Sequence, residues 1–214
     1  MSDLILSASL GTLFNDPLLG PLFRSQFARL AAYDYDSFVD ALESDLESLI
    51  KTIEEGASLR TKDGEDRLTD ELILGLKAMG YQASHDTYIN GHSDIVVSSK
   101  FNHYTWIGEA KIHDSYQWLY EGFCQLATRY SIGTYDGHRG GLVIYIRNVD
   151  AEGVVLKWRE ELVTRSAGTF GKISITPDHQ KNPLRFESAH KHSKSGLDYR
   201  VRHFGVVMNF SPLK

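Results

Sequence analysis

The stretch GHSDIVVSSKFNHYTWIGEAK, residues Gly91 to Lys111, holds two apolar runs around a short polar turn. Their β-branched and aromatic content reads as an antiparallel hairpin closed by Lys100-Phe101-Asn102-His103. In that register Val96 faces Ile107 and Asp94 faces Glu109, and facing Cβ atoms lie about 4.5–5.5 Å apart. Lys111 follows two residues later on the same face, ~6.6–6.8 Å along the strand. Register decides everything here, because a one-residue slip turns one strand's set to the other face. Two opposed carboxylates repel, and burying them is costly. A proton, a lysine or a cation must compensate. Hard divalent cations take one or two carboxylates together with water and phosphate oxygens. A neighbouring ammonium can stabilise charge on an attacking water or on a transition state. The plain alternative is a solvated Glu109–Lys111 surface pair. Against it, both residues sit in WIGEAKI, with apolar residues on each side.

Outward from the hairpin, the chain alternates helices and strands. Phe38, Leu42, Leu46, Leu49, Ile50 and Ile53 recur at three- and four-residue steps before Gly56, which predicts an amphipathic helix with an acidic outer face. The first 30 residues are too punctuated by Gly11, Pro17, Gly20 and Pro21 for a long helix. A polar linker, ASLRTKDG, runs to Gly64 and suggests an N-terminal helical segment over 1–60 and a main domain over 61–214. EDRLTDELILGLKAMG predicts a helix ending at Gly80, followed by strands near 81–88, 93–98 and 104–112. Asp114 or Ser115 can cap a helix through YQWLYEGFCQLATRY. YDGHRGG reads as a turn, since it precedes a strand and lacks the lysine and hydroxyl of a phosphate-binding loop. LVIYIRN then predicts a buried strand, a helix follows near 152–163, and the tail is β-rich. The order points to an α/β fold with a mixed sheet flanked by helices.

Composition narrows the classes. With 42% hydrophobic and 24% charged residues, the chain matches an ordinary globular protein. No apolar run is long enough for a transmembrane helix, and the N-terminus has the wrong flank for a signal peptide. One cysteine, Cys124, excludes a disulfide framework and a Cys-rich zinc site, and its place in a helix suggests core packing. The expectation is a cytoplasmic protein. Net charge is −5, yet residues 1–99 carry 7 Lys/Arg against 17 Asp/Glu, while residues 100–214 carry 16 against 11. An acidic half and a basic half suggest different partners.

Asp94 followed after a short hairpin by Glu109-Ala110-Lys111 resembles the PD-(D/E)XK nuclease superfamily, with its restriction-endonuclease-like fold. Ser93 stands where the motif's name puts proline. The resemblance spans roughly 64–148. It implies a metal-dependent DNA endonuclease, with Mg²⁺ or Mn²⁺ held by Asp94 and Glu109, and with Lys111 assisting the nucleophilic water. RNA as substrate is not excluded by that chemistry. Many members complete the metal shell with a glutamate on the helix before the hairpin. At 100° per residue Glu65 lies in line with Leu68, Leu72, Leu76 and Met79, whereas Glu71 points away, so Glu65 is the candidate and Glu71 the alternative. Relatives of the RecB type use a glutamine then a tyrosine on the following helix. Gln125 and Tyr130 resemble that pair with a spacing one residue longer, Gln125 as the site candidate and Tyr130 as core. Gln125 shares its helix face with Trp118, Gly122 and Arg129. A homodimer or a larger complex is the implied assembly, and restriction or anti-phage defence the implied setting. A nuclease-like binding subunit without activity is the alternative.

Two features of the tail remain. Lys181, Arg185, Lys191, Lys194, Arg200 and Arg202, interleaved with aromatics, suggest a phosphate-tracking surface. His190 and His192 share a strand face, but without a third ligand they read as surface hydrogen-bonding residues.

Overall fold

The computed structural model describes residues 9–212 except positions 31, 89, 90, 101 and 132, and except the side chain of Leu30. Phe101 of the expected turn and the start of the N-terminal stretch thus lie outside the described residues. Two compact units divide between Asp45 and Leu46, inside one long helix. The division therefore falls earlier than the linker that suggested 1–60 and 61–214. Its physical cause lies in the second half of that helix, where Glu47 binds Arg185 and Glu54 Oε1 accepts from Val207 N at 2.9 Å. Those ties make Leu46–Glu55 part of the sheet unit.

The first unit holds α1 (Leu10–Asn15), α2 (Gly20–Leu30) and the start of α3 (Tyr35–Glu55). Ser9 caps α1 by accepting from Thr12 N at 3.2 Å. Phe14 meets Phe27 edge to face at 5.3 Å, and Arg29 forks onto Asp45 at 2.6 and 2.7 Å.

In the second unit α3 buries Leu46, Ile50 and Ile53. Next comes α4 (Glu65–Ala78), which buries Leu68, Leu72 and Leu76, the stripe read from the sequence. Gly80, at φ 99°, ends it; Gly80 N donates to Lys77 O and Tyr81 N to Leu76 O, satisfying the last carbonyls. The single strand expected over 81–88 is instead two, β1 (Gln82–Ser84) and β2 (Thr87–Tyr88), broken at Asp86, which has φ 52°. A two-residue β3 (His92–Ser93) pairs with β2. β4 (Ile95–Ser98) and β5 (Thr105–Ile112) form the hairpin, with Val96 opposite Ile107, as the opening register requires.

Ser115 caps α5 (Tyr116–Cys124), its hydroxyl accepting from Trp118 N at 3.2 Å. The helix then widens into a π turn over Gln125–Tyr130. β6 (Arg139–Ile146) starts earlier than expected and takes in Gly140 and Gly141 from the supposed turn. A side chain at Gly140 would overlap the Tyr199 hydroxyl, and one at Gly141 the Trp106 ring, so glycine lets these rings lie on the strand. α6 (Ala151–Ser166), capped by Asp150, and β7 (Ser174–Pro177), β8 (Arg185–Lys191) and β9 (Asp198–Val207) complete the unit.

The sheet runs β1-β4-β5-β6-β9-β8-β7. It is mixed and mostly antiparallel, with β5, β6 and β9 parallel to one another at its centre. Every residue of β6 is buried, as expected for a parallel strand covered on both faces. One face carries Ile107, Leu142 and Ile144, which pack with Leu119 and Phe123 of α5 and with Trp158 of α6. On the other face α4 brings the Thr69 hydroxyl to 3.4 Å from that of Tyr145.

Candidate functional site

The site arises where β5 outruns β4. Their ladder ends at Ile95 and Gly108, while β5 continues to Ile112. Beyond that point the N–H groups on the β4 side of β5 face no strand among the described residues, yet a buried N–H needs an acceptor. Two carboxylates supply it. Asp94 Oδ2 accepts from Ala110 N at 2.9 Å, and Glu65 Oε2 accepts from Ile112 N at 2.8 Å. Asp94 sits in the bend between β3 and β4, and Glu65 is the first residue of α4.

Lys111 lies at the centre. Its Nζ is 2.7 Å from Glu109 Oε1, 3.3 Å from Glu65 Oε1 and 3.4 Å from Asp94 Oδ2, and it donates to Ala110 O at 3.0 Å. The four charged residues proposed from the sequence therefore stand together. Glu71 does not join them; it pairs with Arg60 at 2.7 Å and with Arg67 at 3.2 Å.

Three carboxylates face one ammonium, and the electrostatics follow. Burial pushes the Glu109 carboxyl up to about 8, reinforced by the charge of Asp94; Lys111 opposes the shift without cancelling it. Glu109 is only 1% exposed, and its Oε2 has no hydrogen-bond partner. Burial alone would lower the Lys111 ammonium, but the charges of Glu109 and Asp94 outweigh that and hold it firmly protonated.

Helix α5 roofs the cluster. A Cβ on Gly122 would stand 3.0 and 3.1 Å from Cγ and Cε of Lys111 and 3.4 Å from Cγ of Glu109, so the helix backbone lies directly on the lysine stem. One turn earlier, the Lys111 Nζ lies 5.2 Å from the Trp118 ring centroid. Gln125 opens the π turn one turn after Gly122 and is half-buried; its side chain makes no hydrogen bond among the described residues. Tyr130 is buried in the core, as read from the sequence. Its phenol is raised by burial first and then by the charges of Glu109 and Asp94, which places it within electrostatic reach of the site.

The fit of this donor set to a divalent cation can be judged from its atoms. Among the described residues, no three His, Cys, Asp or Glu side chains are gathered as a ready metal cage. The oxygens converge on Lys111 instead. All are hard donors, and Glu109 Oε2 is buried without a partner, which is the chemistry that Mg²⁺ accepts with one or two carboxylates and water. Asp94, Glu109 and Glu65 therefore fit a hard cation better than a zinc-like one.

The sequence-based readings of the tail need two corrections. Arg185 and Arg202 are not free to track phosphate. Arg185 Nε donates to both Glu47 oxygens at 2.9 Å, and Arg202 Nη2 reaches Asp178 Oδ1 at 2.7 Å. His190 and His192 point inward, not to the surface. His192 Nε2 lies 2.8 Å from the Ser131 hydroxyl, and His190 sits among Phe123, Phe170 and Tyr199 with its pKa lowered by burial to about 4. Burial in a ring-lined core explains both. Cys124 is half-buried, its thiol raised by burial, in keeping with a packing role.

Sequence reasoning missed two contributors to the site, Gly122 and Trp118. Both were visible on the Gln125 face, but nothing in their spacing showed that this face covers the lysine. No family model matches the chain, and neither do curated proteins or solved structures. No helix among the described residues is long and apolar enough to cross a membrane.

Proposed function

We propose that the chain is a Mg²⁺-dependent nuclease of restriction-endonuclease-like fold that hydrolyses phosphodiester bonds in DNA. The observation that carries the reading is the convergence of Asp94, Glu109, Glu65 and the Ala110 carbonyl on Lys111 at the end of β5. The order α4, five strands (β1 to β5), α5, β6 is compatible with it, with the β4–β5 hairpin as its centre.

Asp94, Glu109 and Glu65 would hold the cation, with Mn²⁺ as a substitute. The chemistry a bound divalent cation supplies is polarisation of a phosphoryl oxygen and activation of water. Lys111 is held protonated, so it acts as a hydrogen-bond donor to the phosphate oxygen as negative charge builds, and as an orienter of water, rather than as a base. Gln125, one turn beyond Gly122, would be a supporting group. The helical segment toward the N-terminus, with Leu18 and Leu22 exposed, would serve a homodimer or a larger complex. A cytoplasmic restriction or anti-phage role is part of the same reading.

One observation favours a second reading, a nuclease-like binding subunit: Lys111 already gives each carboxylate a cationic partner. A single assay separates the two. Purified protein is incubated with plasmid, linear duplex, single strands and RNA, with Mg²⁺, Mn²⁺ or EDTA. Metal-dependent cleavage that falls ~10²–10³-fold in Lys111→Ala is the expected result. Intact binding without cleavage of any substrate rejects the enzyme and leaves the subunit.

A further inference from the structure

We infer that Trp118 is a stacking platform for an unpaired base, and that the site takes single-stranded nucleic acid in preference to intact duplex. The inference rests on the nuclease reading and narrows its substrate. Trp118 is 42% exposed, whereas Trp106 and Trp158 are both fully buried. Its ring stands beside the one ammonium positioned to meet a scissile phosphate, with Lys111 Nζ 5.2 Å from the ring centroid. A phosphate held at Lys111 therefore carries its own base, or the next one, within reach of the indole. In a duplex those base faces are already stacked on their neighbours. Only an unpaired nucleotide can offer one.

A second aromatic surface lies on the strand that leads into the site. Tyr88 and His92, both exposed, meet edge to face at 5.8 Å on the β2–β3 hairpin, which runs directly into Asp94. Gly91 of that hairpin lies against the stem of Arg129, an exposed cation one turn past Gln125. Aromatic faces alternating with a few cations are the means by which single strands are held without sequence preference. Duplex tracking requires a longer row of free cations, and Arg185 and Arg202 are tied to Glu47 and Asp178.

Intrinsic fluorescence tests this directly, since Trp118 is the exposed member of the three tryptophans. The full chain is titrated, in EDTA, with oligothymidylate, with oligouridylate and with an oligothymidylate–oligoadenylate duplex, and binding is also followed by anisotropy of a labelled strand. Saturable quenching by the single strands, with much weaker binding of the duplex, is expected. Trp118→Phe abolishes the quenching and keeps affinity, whereas Trp118→Ala weakens single-strand binding about tenfold, within the range known for base–aromatic stacking. The thymidylate and uridylate arms tell DNA from RNA. Equal affinity for the duplex, or unchanged single-strand affinity in Trp118→Ala, overturns the inference. So does quenching that rises with protein concentration alone, which would show a second copy covering the ring. Mg²⁺-dependent cleavage with Trp118 silent leaves the nuclease reading intact and rejects the platform; quenching without cleavage does the reverse.

Discussion

Two charge clusters hold this sheet, and they are built on opposite plans. Around β8 and β9, Glu47 and Asp178 meet Arg185 and Arg202, two carboxylates against two guanidiniums. Asp178 is further satisfied by the backbone N–H groups of Gln180 and Asn182. Burial would raise its carboxyl, but the Asn182 hydrogen bond and Arg202 hold it below the usual range. At the end of β5, three carboxylates share one lysine, one of their oxygens has no partner, and a carboxyl is driven upward. A network that only stabilises a fold balances its charges. In the function proposed here, the surplus at Lys111 is what a bound cation would neutralise.

The comparison can be broken at its balanced side first. Arg185→Ala leaves Glu47 with Arg202 alone, at 3.4 Å, and is expected to cost about 3 kcal/mol in denaturant unfolding, the low end for a buried pair because Glu47 is partly exposed. A loss below about 1 kcal/mol would show that the network is only a surface pair.

The surplus side predicts a pH dependence of definite sign. The folded pKa of Glu109, about 8, lies above its ordinary value of 4.5, so between these limits the folded chain holds a proton that the unfolded chain has released. Stability without divalent cations is therefore full below pH 4.5, falls through the window and is lost above pH 8. Glu109→Gln should flatten that slope. A wild-type stability curve that is level from pH 5 to 8 in EDTA would contradict the assignment (both limits being roughly the edges of the Glu109 window).

The smallest expected effect is on thermal unfolding at pH 8. Mg²⁺ at about ten times its dissociation constant should stabilise the wild type by about 1.4 kcal/mol and the Asp94→Asn variant by much less. An equal gain in both proteins would mean that the ion binds elsewhere.

Much of this site was legible because strands impose a strict period. Placing the turn at residues 100–103 gave the pairing of Val96 with Ile107, and alternation put Glu109 and Lys111 on one face. The helical stripe of Leu68, Leu72 and Leu76 singled out Glu65 in the same way. What stayed hidden depends on partners distant in sequence. Nothing near Arg185 announces Glu47, which arrives from α3, and nothing near His190 announces the rings of Phe123 and Phe170. The π turn at Gln125 shifts the helix face at the point where a spacing rule would be applied. Local periodicity reads local geometry, and long-range pairing escapes it.

The end of β5 that lacks a strand partner on its β4 side has a further consequence. A bare strand edge is a template on which another chain can add a strand, and Asp94 and Glu65 occupy its N–H groups at Ala110 and Ile112. The same two side chains therefore guard against self-association. Replacing both with alanine would do more than empty the proposed site: it would expose a sticky edge, and the protein's solubility would fall.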